Sequence, residues 1–460
     1  MPQISYINYT DIQKAGRYDA EYFKPEYLET LKIIKKYKCL FISEIALIKS
    51  GTTPKIRDEN LKEGVILLKT GNIRNNTLQY DQQNYFHIDS LTNKKMKSSE
   101  LKNGDVLLNI VGATTSVIGR TALVTSDFPK SNITQAMASC RIFSLEINPS
   151  YLFLFFQTVY GMSQTKRLAR PTGQFNLNLD EVGRYIIPIL PASFQLEIEE
   201  IVKSAHQKQS ASKQLYKEAE ELLLTELSLI NYKVKHKLTF TTTKNEIKQA
   251  SRYDSEYFQP KYDQIIEKIE SYEGGFDWLG NMVDWKKGIE VGAEAYCDTG
   301  KDFIRVSDVT VFGLSDANKK ISNEVFEDLK KKYQPKKDEI LFTKDGTIGI
   351  SYLLKEDSES IVSGAFLRLT LQEKYKNFEK ECLTLIFNSI ICKMQVQKLS
   401  GGALIAHLKP SDLETFRIPL INQLIQEQIA TKIQESHKLR KESKELLETA
   451  KRMVEQEIEK

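Results

Sequence analysis

The chain is poor in the residues from which most metal centres and disulfide frameworks are made. Its 460 residues include five cysteines and five histidines. Cys39, Cys140, Cys297, Cys382 and Cys392 are an odd number, lie far apart and form no CxxC pair. That spacing argues against a disulfide framework or a structural zinc site and points to a reduced, cytoplasmic compartment. His87, His206, His236, His407 and His437 form no HExxH set. Long apolar stretches are also missing. The run from Tyr151 to Phe156 is far below the ~18 residues that span a bilayer, so no membrane association is expected. The start, MPQISYINYTDIQKAG, has no basic segment followed by an apolar one, so no secretory signal is expected. Neither sign of charge dominates, with 65 Lys and Arg against 61 Asp and Glu. A basic face is then possible only if the acids lie elsewhere.

Familiar catalytic signatures are missing too. There is no GxxxxGK[ST] loop for nucleotide phosphates. Thr299-Gly300-Lys301-Asp302 has the right centre but lacks the upstream glycine and the hydroxyl, and reads as a turn. Asn148-Pro149-Ser150-Tyr151 approaches an amino-methyltransferase motif, but its second proline is replaced and no cofactor loop precedes it. It reads as a helix start. Carboxylate–lysine clusters such as Lys337-Asp338-Glu339 occur by chance in a chain with 27% charged residues. The expectation is recognition, not catalysis, with no metal and no catalytic residue on this chain.

What the chain does have is itself, twice. Residues 17–27 read RYDAEYFKPEY and residues 252–262 read RYDSEYFQPKY, identical at eight of eleven positions. Gly104-Asp105-Val106-Leu107-Leu108 corresponds to Asp338-Glu339-Ile340-Leu341-Phe342, and each is followed by a glycine turn, Gly112 to Gly119 and Gly346 to Gly349. Ile187-Pro188 matches Ile418-Pro419, and Gln195 matches Gln426. The repeat offset falls from 235 to 231 along the chain, so the two middles differ in length. Similar frames around diverged middles suit a scaffold that carries two different readers.

Each copy ends in a long amphipathic segment. Ile198, Val202, Ala205, Gln209, Ser212, Tyr216, Ala219 and Leu223 follow alternating steps of four and three. The expected second seam is Ile429, Lys432, Ser436, Leu439, Ser443, Leu446, Ala450 and Met453. This is a heptad period, and Pro191 and Pro419 precede the helices. Helices of about 32 residues are about 48 Å long. They are expected to pair antiparallel, with one α/β block at each end of a rod and a polar middle that either fixes register by buried hydrogen bonds or faces other protein.

Within the blocks, strands are expected at Val65–Lys69, Asp105–Val111, Arg120–Val124 and Ala138–Phe143, then at Phe303–Val306, Glu339–Thr343, Gly349–Leu354 and Ala365–Leu371. A helix is expected over Tyr151–Leu168 and again over Glu381–Leu399. The loops Lys69–Arg74, Gly112–Ser116, Arg170–Gln174, Lys344–Thr347 and Ser400–Ala403 combine glycine with polar side chains. Such loops suit phosphate oxygens and base edges.

The tandem order of reader, helix, reader, helix resembles the specificity (S) subunit of type I DNA restriction–modification enzymes over essentially the whole chain. The Ile-Pro then Gln-x-x-Ile approach to each helix carries the resemblance: Ile187-Pro188 with Gln195 and Ile198, and Ile418-Pro419 with Gln426 and Ile429. The second glycine turn departs by being shorter, so its base contacts do not copy the first. The resemblance implies an α+β fold: two mixed α/β target recognition domains separated by two long antiparallel coiled-coil helices, in a pseudo-twofold internal repeat. The expected boundaries are 1–190 for the first recognition domain, 191–232 for the first helix and 233–250 for a linker. The second recognition domain then spans 251–420 and the second helix 421–460. The resemblance further implies a bipartite double-stranded DNA site, two methyltransferase (M) subunits docked on the helices, and restriction/translocase (R) subunits. S-adenosylmethionine would sit on M, and ATP with magnesium on R, leaving no cofactor on this chain. Self-association of the isolated chain is also expected. The residues expected at DNA are Lys69, Asn72, Arg74, Thr114, Arg120, Arg170 and Gln174 in the first block, and Arg305, Lys344, Thr347, Lys398 and Lys409 in the second. The alternative is a coiled-coil interaction or scaffold protein without sequence-specific DNA binding.

Overall fold

The computed structural model describes residues 6–54, 61, 63–74, 76–78, 85–114, 117–171, 173–230, 232, 237–315, 317–400 and 407–460. The chain divides into two compact units. One is Met1–Lys208 with Lys441–Lys460, and the other is Gln209–Arg440. Both are α+β and follow one plan.

The first unit centres on an antiparallel sheet ordered Ala46–Ser50, Met137–Ile142, Val106–Asn109, Thr121–Leu123. The second repeats it with Val283–Lys287, Phe366–Leu371, Ile340–Thr343, Ser351–Leu353. The central strand Val106–Asn109 is apolar without alternation because both its faces are covered. Val106 and Leu108 join a core with Tyr151, Phe155 and Tyr185, while Leu107 joins another with Ile66, Leu68 and Ala122. Ile340 and Phe342 face Phe387 in the same way, with Leu341 on the other side against Ile304 and Val362. A second sheet pairs Val65–Leu68 parallel to Ser131–Ile133 and antiparallel to Phe86–Ile88. Its counterpart pairs Lys301–Ile304 parallel to Ser360–Val362 and antiparallel to Lys320–Ile321.

The repeated acid of the Gly-Asp-Val-Leu-Leu and Asp-Glu-Ile-Leu-Phe strings has a structural duty. Asp105, buried, takes Arg141 Nε and Nη2 at 2.8 and 2.7 Å. Glu339, also buried, faces Arg368 at 3.4 Å. Arg141 is half-buried, whereas Arg368 is buried and gives Nη1 and Nη2 to the carbonyls of Gln334 and Lys332, both at 2.6 Å, so its charge is held mainly by backbone.

Two expectations are corrected. Neither block holds a single helix after the sheet. The first has Pro149–Phe155 and Val159–Leu168, the second Lys380–Asn388 and Ile390–Leu399. A hydroxyl makes each break. Thr158 Oγ1 donates to the Phe155 carbonyl at 2.6 Å and accepts the Gly161 amide at 3.2 Å. Ser389 Oγ donates to the Ile386 carbonyl at 2.7 Å and accepts the Ile391 amide at 3.2 Å. One side chain thus closes one helix and caps the next.

The second correction concerns the seam. The long helices are Ala192–Glu226 and Gln423–Glu459, 35 and 37 residues. On the second, the buried series is Ile429, Ile433, Ser436, Ser443, Leu447, Ala450, Val454 and Ile458. Lys432, Leu439, Leu446 and Met453 are only half-buried. From Ile429 to Val454 these positions keep one heptad phase, as on the first helix, where the expected phase holds for Ile198, Val202, Ala205, Ser212, Ala219 and Leu223. Within the first unit, Ile198, Val202 and Ala205 share a core with Leu447, Ala450, Val454 and Ile458. Lys208 Nζ meets Glu442 at 2.5 Å. Within the second, Ala219 and Leu223 share a core with Ile429 and Ile433. There Lys432 Nζ meets Glu218 at 2.6 Å, and Ser436 Oγ donates to the Ser212 carbonyl at 2.7 Å. As the number rises on one helix it falls on the other, so the segments run antiparallel in each unit.

Each block is tied to its helix by a repeated glutamine. Buried Gln195 accepts the Asn148 amide at 2.8 Å and donates to the carbonyls of Glu146 and Leu190, both at 2.9 Å. Gln426 accepts the Glu379 amide at 2.8 Å and donates to the Ile421 carbonyl at 2.7 Å. The Ile-Pro dipeptides end short strands, Ile186–Pro188 on Cys39–Phe41 and Arg417–Pro419 on Phe276–Trp278. The five thiols are unpaired, and burial pushes that of Cys140 up to about 12. Among the described residues, no helix is long and apolar enough to cross a membrane.

Candidate nucleic-acid interface

In the first unit three loops far apart in sequence meet beside the central sheet. The first is the turn Thr70–Asn72 after strand Val65–Leu68. The Lys69 amide donates to Asn72 Oδ1 at 2.7 Å, which closes the turn. Arg74 follows on a two-residue strand, and its Nε donates to the Gly71 carbonyl at 3.3 Å. The Lys69 ammonium lies 2.9 Å from the Phe86 ring centre. The second loop runs from Asn109 to Arg120. It carries Thr114, whose carbonyl accepts the Val117 amide at 3.1 Å, and it closes where the Gly119 amide reaches the Asn109 carbonyl at 2.9 Å. Gly119 has φ 80°, a left-handed turn that glycine makes without strain. Arg120 starts the return strand, its carbonyl accepting the Asn109 amide at 2.8 Å.

The third loop is the hairpin of Arg170–Pro171 and Phe175–Asn176, with exposed Gln174 at its tip. Phe175 and Asn176 pair with Gly112 and Val111, which brings the hairpin against the second loop. Buried Asn109 joins the second loop to the first, because its Nδ2 donates to the Thr70 carbonyl at 3.0 Å. Lys69, Asn72, Arg74, Thr114, Arg120, Arg170 and Gln174 thus sit on one linked set of loops. Arg170 is not wholly available, since its Nε meets buried Glu181 at 2.5 Å.

The second unit repeats the frame with other side chains. Arg305 stands where Lys69 does, its amide on Asp308 Oδ2 at 3.0 Å. Its Nε is buried without a hydrogen-bond partner among the described residues. Thr343 replaces Asn109 and locks the shorter turn, its Oγ1 donating to the Thr347 carbonyl at 2.6 Å and accepting the Ile350 amide at 2.9 Å. The Gly349 amide closes the turn on the Thr343 carbonyl at 2.9 Å. Thr347 is exposed, whereas Lys344 is buried with its ammonium on Asp345. Asp345 bridges to His407, whose Nδ1 lies 2.6 Å from its carboxylate. Desolvation works to raise the Asp345 carboxyl, but Lys344 and His407 hold it below its ordinary value.

Lys398 lies elsewhere in that unit, whereas Lys409 directly follows Leu408, whose amide donates to the Lys344 carbonyl at 2.9 Å. Lys398 ends helix Ile390–Leu399 and meets Asp263 at 2.6 Å, and exposed Lys409 precedes helix Pro410–Glu414. Residues 401–406, most of the expected glycine loop, fall outside the described residues, as do Thr115, Ser116 and Thr172. Among the described residues no group of three His, Cys, Asp or Glu is placed to hold a metal.

Residues 279–449 match the sequence model of the type I restriction modification DNA specificity domain. This stretch of the chain is similar to that domain. No curated protein sequence matches the chain. Among solved structures, the chain is similar to a type I restriction-modification S subunit from M. genitalium at 10% identity. That alignment covers 92% of this chain and 95% of the other, with a TM-score of 0.38. An HsdS subunit from Thermoanaerobacter tengcongensis aligns at 14% identity over 92% and 96%, with a TM-score of 0.28. A structure titled for complex assembly and conformational transition of the type I R-M system aligns at 12% identity over 90% and 97%, with a TM-score of 0.27.

The matched stretch includes the Glu339–Arg368 pair, the Thr343 turn lock and the Asp345–His407 bridge. Sequence reading passed over the loop-locking residues. The available signal was a polar residue closing an apolar strand at the same place in both copies, Asn109 after Val106-Leu107-Leu108 and Thr343 after Ile340-Leu341-Phe342.

Proposed function

We propose that this chain is the DNA sequence-recognition subunit of a type I restriction–modification complex. Each α/β block reads one half of a bipartite, asymmetric double-stranded site, and the paired helices set the unread spacer. Two methyltransferase subunits dock on the helices and restriction/translocase subunits complete the assembly. The chain contributes recognition and no catalysis. S-adenosylmethionine belongs to the methyltransferase, ATP and magnesium to the restriction partner. The observation that carries this reading is the specificity-domain match over 279–449 together with the same strand plan in the other unit.

Chemistry supports the division of labour. Arginine recognises guanine bidentately and asparagine or glutamine adenine, while lysine and turn amides suit phosphates. Lys69, Asn72, Arg74, Thr114, Arg120, Arg170 and Gln174 are assigned to one half-site. Arg305, Lys344, Thr347, Lys398 and Lys409 are assigned to the other. Because the loop frames are shared and the side chains differ, the halves differ in sequence.

The test is selection from a random duplex library by the chain co-purified with its methyltransferase. The expected product is a two-part motif with a constant gap of about six to eight pairs, as half-sites centred near one helical turn apart would leave. Recovered DNA without a common motif, with binding that only tracks salt, would sink the reading and favour an interaction protein.

A further inference from the structure

In each unit the turn that carries Asn72 or Asp308 leads into a small hairpin. The first pairs Ile73–Arg74 with Thr77–Leu78, and the second pairs Val309–Thr310 with Gly313–Leu314. Asn76 and Phe312 stand at the same place, the last residue of the tip. The two hairpins are tied down in different ways.

In the first unit the ties run to the neighbouring loop. Asn76 Oδ1 accepts the amide of Thr121, the residue after Arg120, at 3.5 Å. Asn76 has φ 51°, a left-handed conformation that asparagine tolerates. Asn109, fully buried, makes the second tie. Its Nδ2 donates to the Thr70 carbonyl at 3.0 Å and to the Val117 carbonyl at 3.3 Å. One amide group thus holds both the turn before Arg74 and the glycine loop before Arg120. Asn109 Oδ1 is buried without a hydrogen-bond partner among the described residues. An unpaired buried oxygen costs stability, so this asparagine is accounted for by the nitrogen that spans two loops.

In the second unit the hairpin is tied to the long helices. Phe312 packs edge-on against Tyr216 of helix Ala192–Glu226, ring centres 5.0 Å apart. The Arg440 guanidinium, on helix Gln423–Glu459, lies 3.9 Å from the Phe312 ring centre. Thr343, in the place of Asn109, uses its hydroxyl inside its own turn, on Thr347 and Ile350. A hydroxyl has one hydrogen to donate, and Thr347 takes it, so none is left for the other loop.

Loops locked to each other move as one body, and loops held on separate supports do not. A wrong base pair that displaces one locked loop displaces its neighbour too. A second wrong pair in the same half-site then has less left to cost. On separate supports the two losses multiply, as they do for independent sites.

We infer that Asn109, assisted by Asn76, is a positioning residue that makes the base preferences of the first block interdependent, while those of the second block, with its hairpin held on the helices by Phe312, are independent. The coupling deepens the recognition role proposed above and rests on it. The test uses the chain co-purified with its methyltransferase and duplexes carrying the selected motif. Each duplex has one or two base-pair changes within one half-site, the two separated by at least one pair. In one half-site the double change should lose at least about fivefold less affinity than the product of the single losses. In the other it should match the product within about twofold. Asn109→Thr should bring the interdependent half-site to the product rule and leave the other as it was, whereas a general loss of fold would weaken both. Where that chain does not fold, Asn76→Gly decides, because glycine keeps the left-handed tip and removes the amide. Half-sites that behave alike in the unaltered chain would overturn the coupling and leave recognition intact. So would interdependence that is undiminished in the deciding variant. If no two-part motif is selected at all, the coupling falls together with the recognition role beneath it.

Discussion

At the scale of single residues the duplication separates framework from reader. Gln195 and Gln426 are framework, and both were legible because a buried glutamine recurred at one offset. The bonds that tie them to the blocks were not, since these reach the Asn148 and Glu379 amides 47 residues away. Gln195→Ala leaves the Asn148 amide and two carbonyls without the glutamine, and Gln426→Ala does so for Glu379 and Ile421. Each should cost about 1–3 kcal/mol, read as a lower denaturation midpoint. A loss below a few tenths of that range for both would show that water replaces them. Arg74 is assigned to reading. Its loss to alanine should cost about 1–3 kcal/mol of DNA affinity and relax one base position. An unchanged motif and affinity would remove it from the interface. His437 is a third kind, a titratable group beneath the Tyr352 ring, centres 5.6 Å apart. Burial first, then Lys355 and Arg440, lower it from 6.5 to about 4 against the opposing pull of Glu381. The unfolded chain therefore binds a proton that the folded chain refuses. Stability is complete above about pH 6.5 and falls as pH drops toward 4, by up to about 3 kcal/mol. His437→Phe should flatten denaturation midpoints measured across that window, and an unaltered slope would refute the assignment.

At the scale of elements, what the sequence showed followed from what each element packs against. The central strands were readable because two-sided burial makes Val106-Leu107-Leu108 and Ile340-Leu341-Phe342 apolar throughout. The paired short helices were not separable by periodicity. Apolar residues continue through both, and a single hydroxyl, Thr158 or Ser389, ends one helix and starts the next. The second seam was placed on the wrong neighbours because lysine and leucine at 432, 439 and 446 sit beside the buried line. Carrying the first seam across by 231 residues puts Val202 on Ile433 and Leu223 on Val454, which are the buried positions. The repeat was the better guide because the two helices share one packing problem. Convergence of the reader loops lay beyond sequence altogether, as it depends on pairing Val111 and Gly112 with Asn176 and Phe175.

At the scale of the molecule, the function proposed for the helices makes a length prediction. Seven residues of α-helix are about 10.5 Å, at 1.5 Å per residue, and leave the heptad phase intact. Removing 209–215 from the first helix and 440–446 from the second takes equivalent heptads, since the helices are related by 231 residues. The apolar ends of both seams, Ile198 to Ala205 with Leu447 to Ile458, and Ala219 and Leu223 with Ile429 and Ile433, remain to pair. At about 3.4 Å per base pair the gap should shorten by about three pairs, while both half-site sequences stay as they were. A four-residue deletion would instead turn the seam away from its partner and should destabilise the chain. The sequences selected by the heptad-deleted protein decide the matter. An unchanged gap would mean that the distance between half-sites is set by something other than these helices, and the ruler role would have to be given up even if both half-sites are still read.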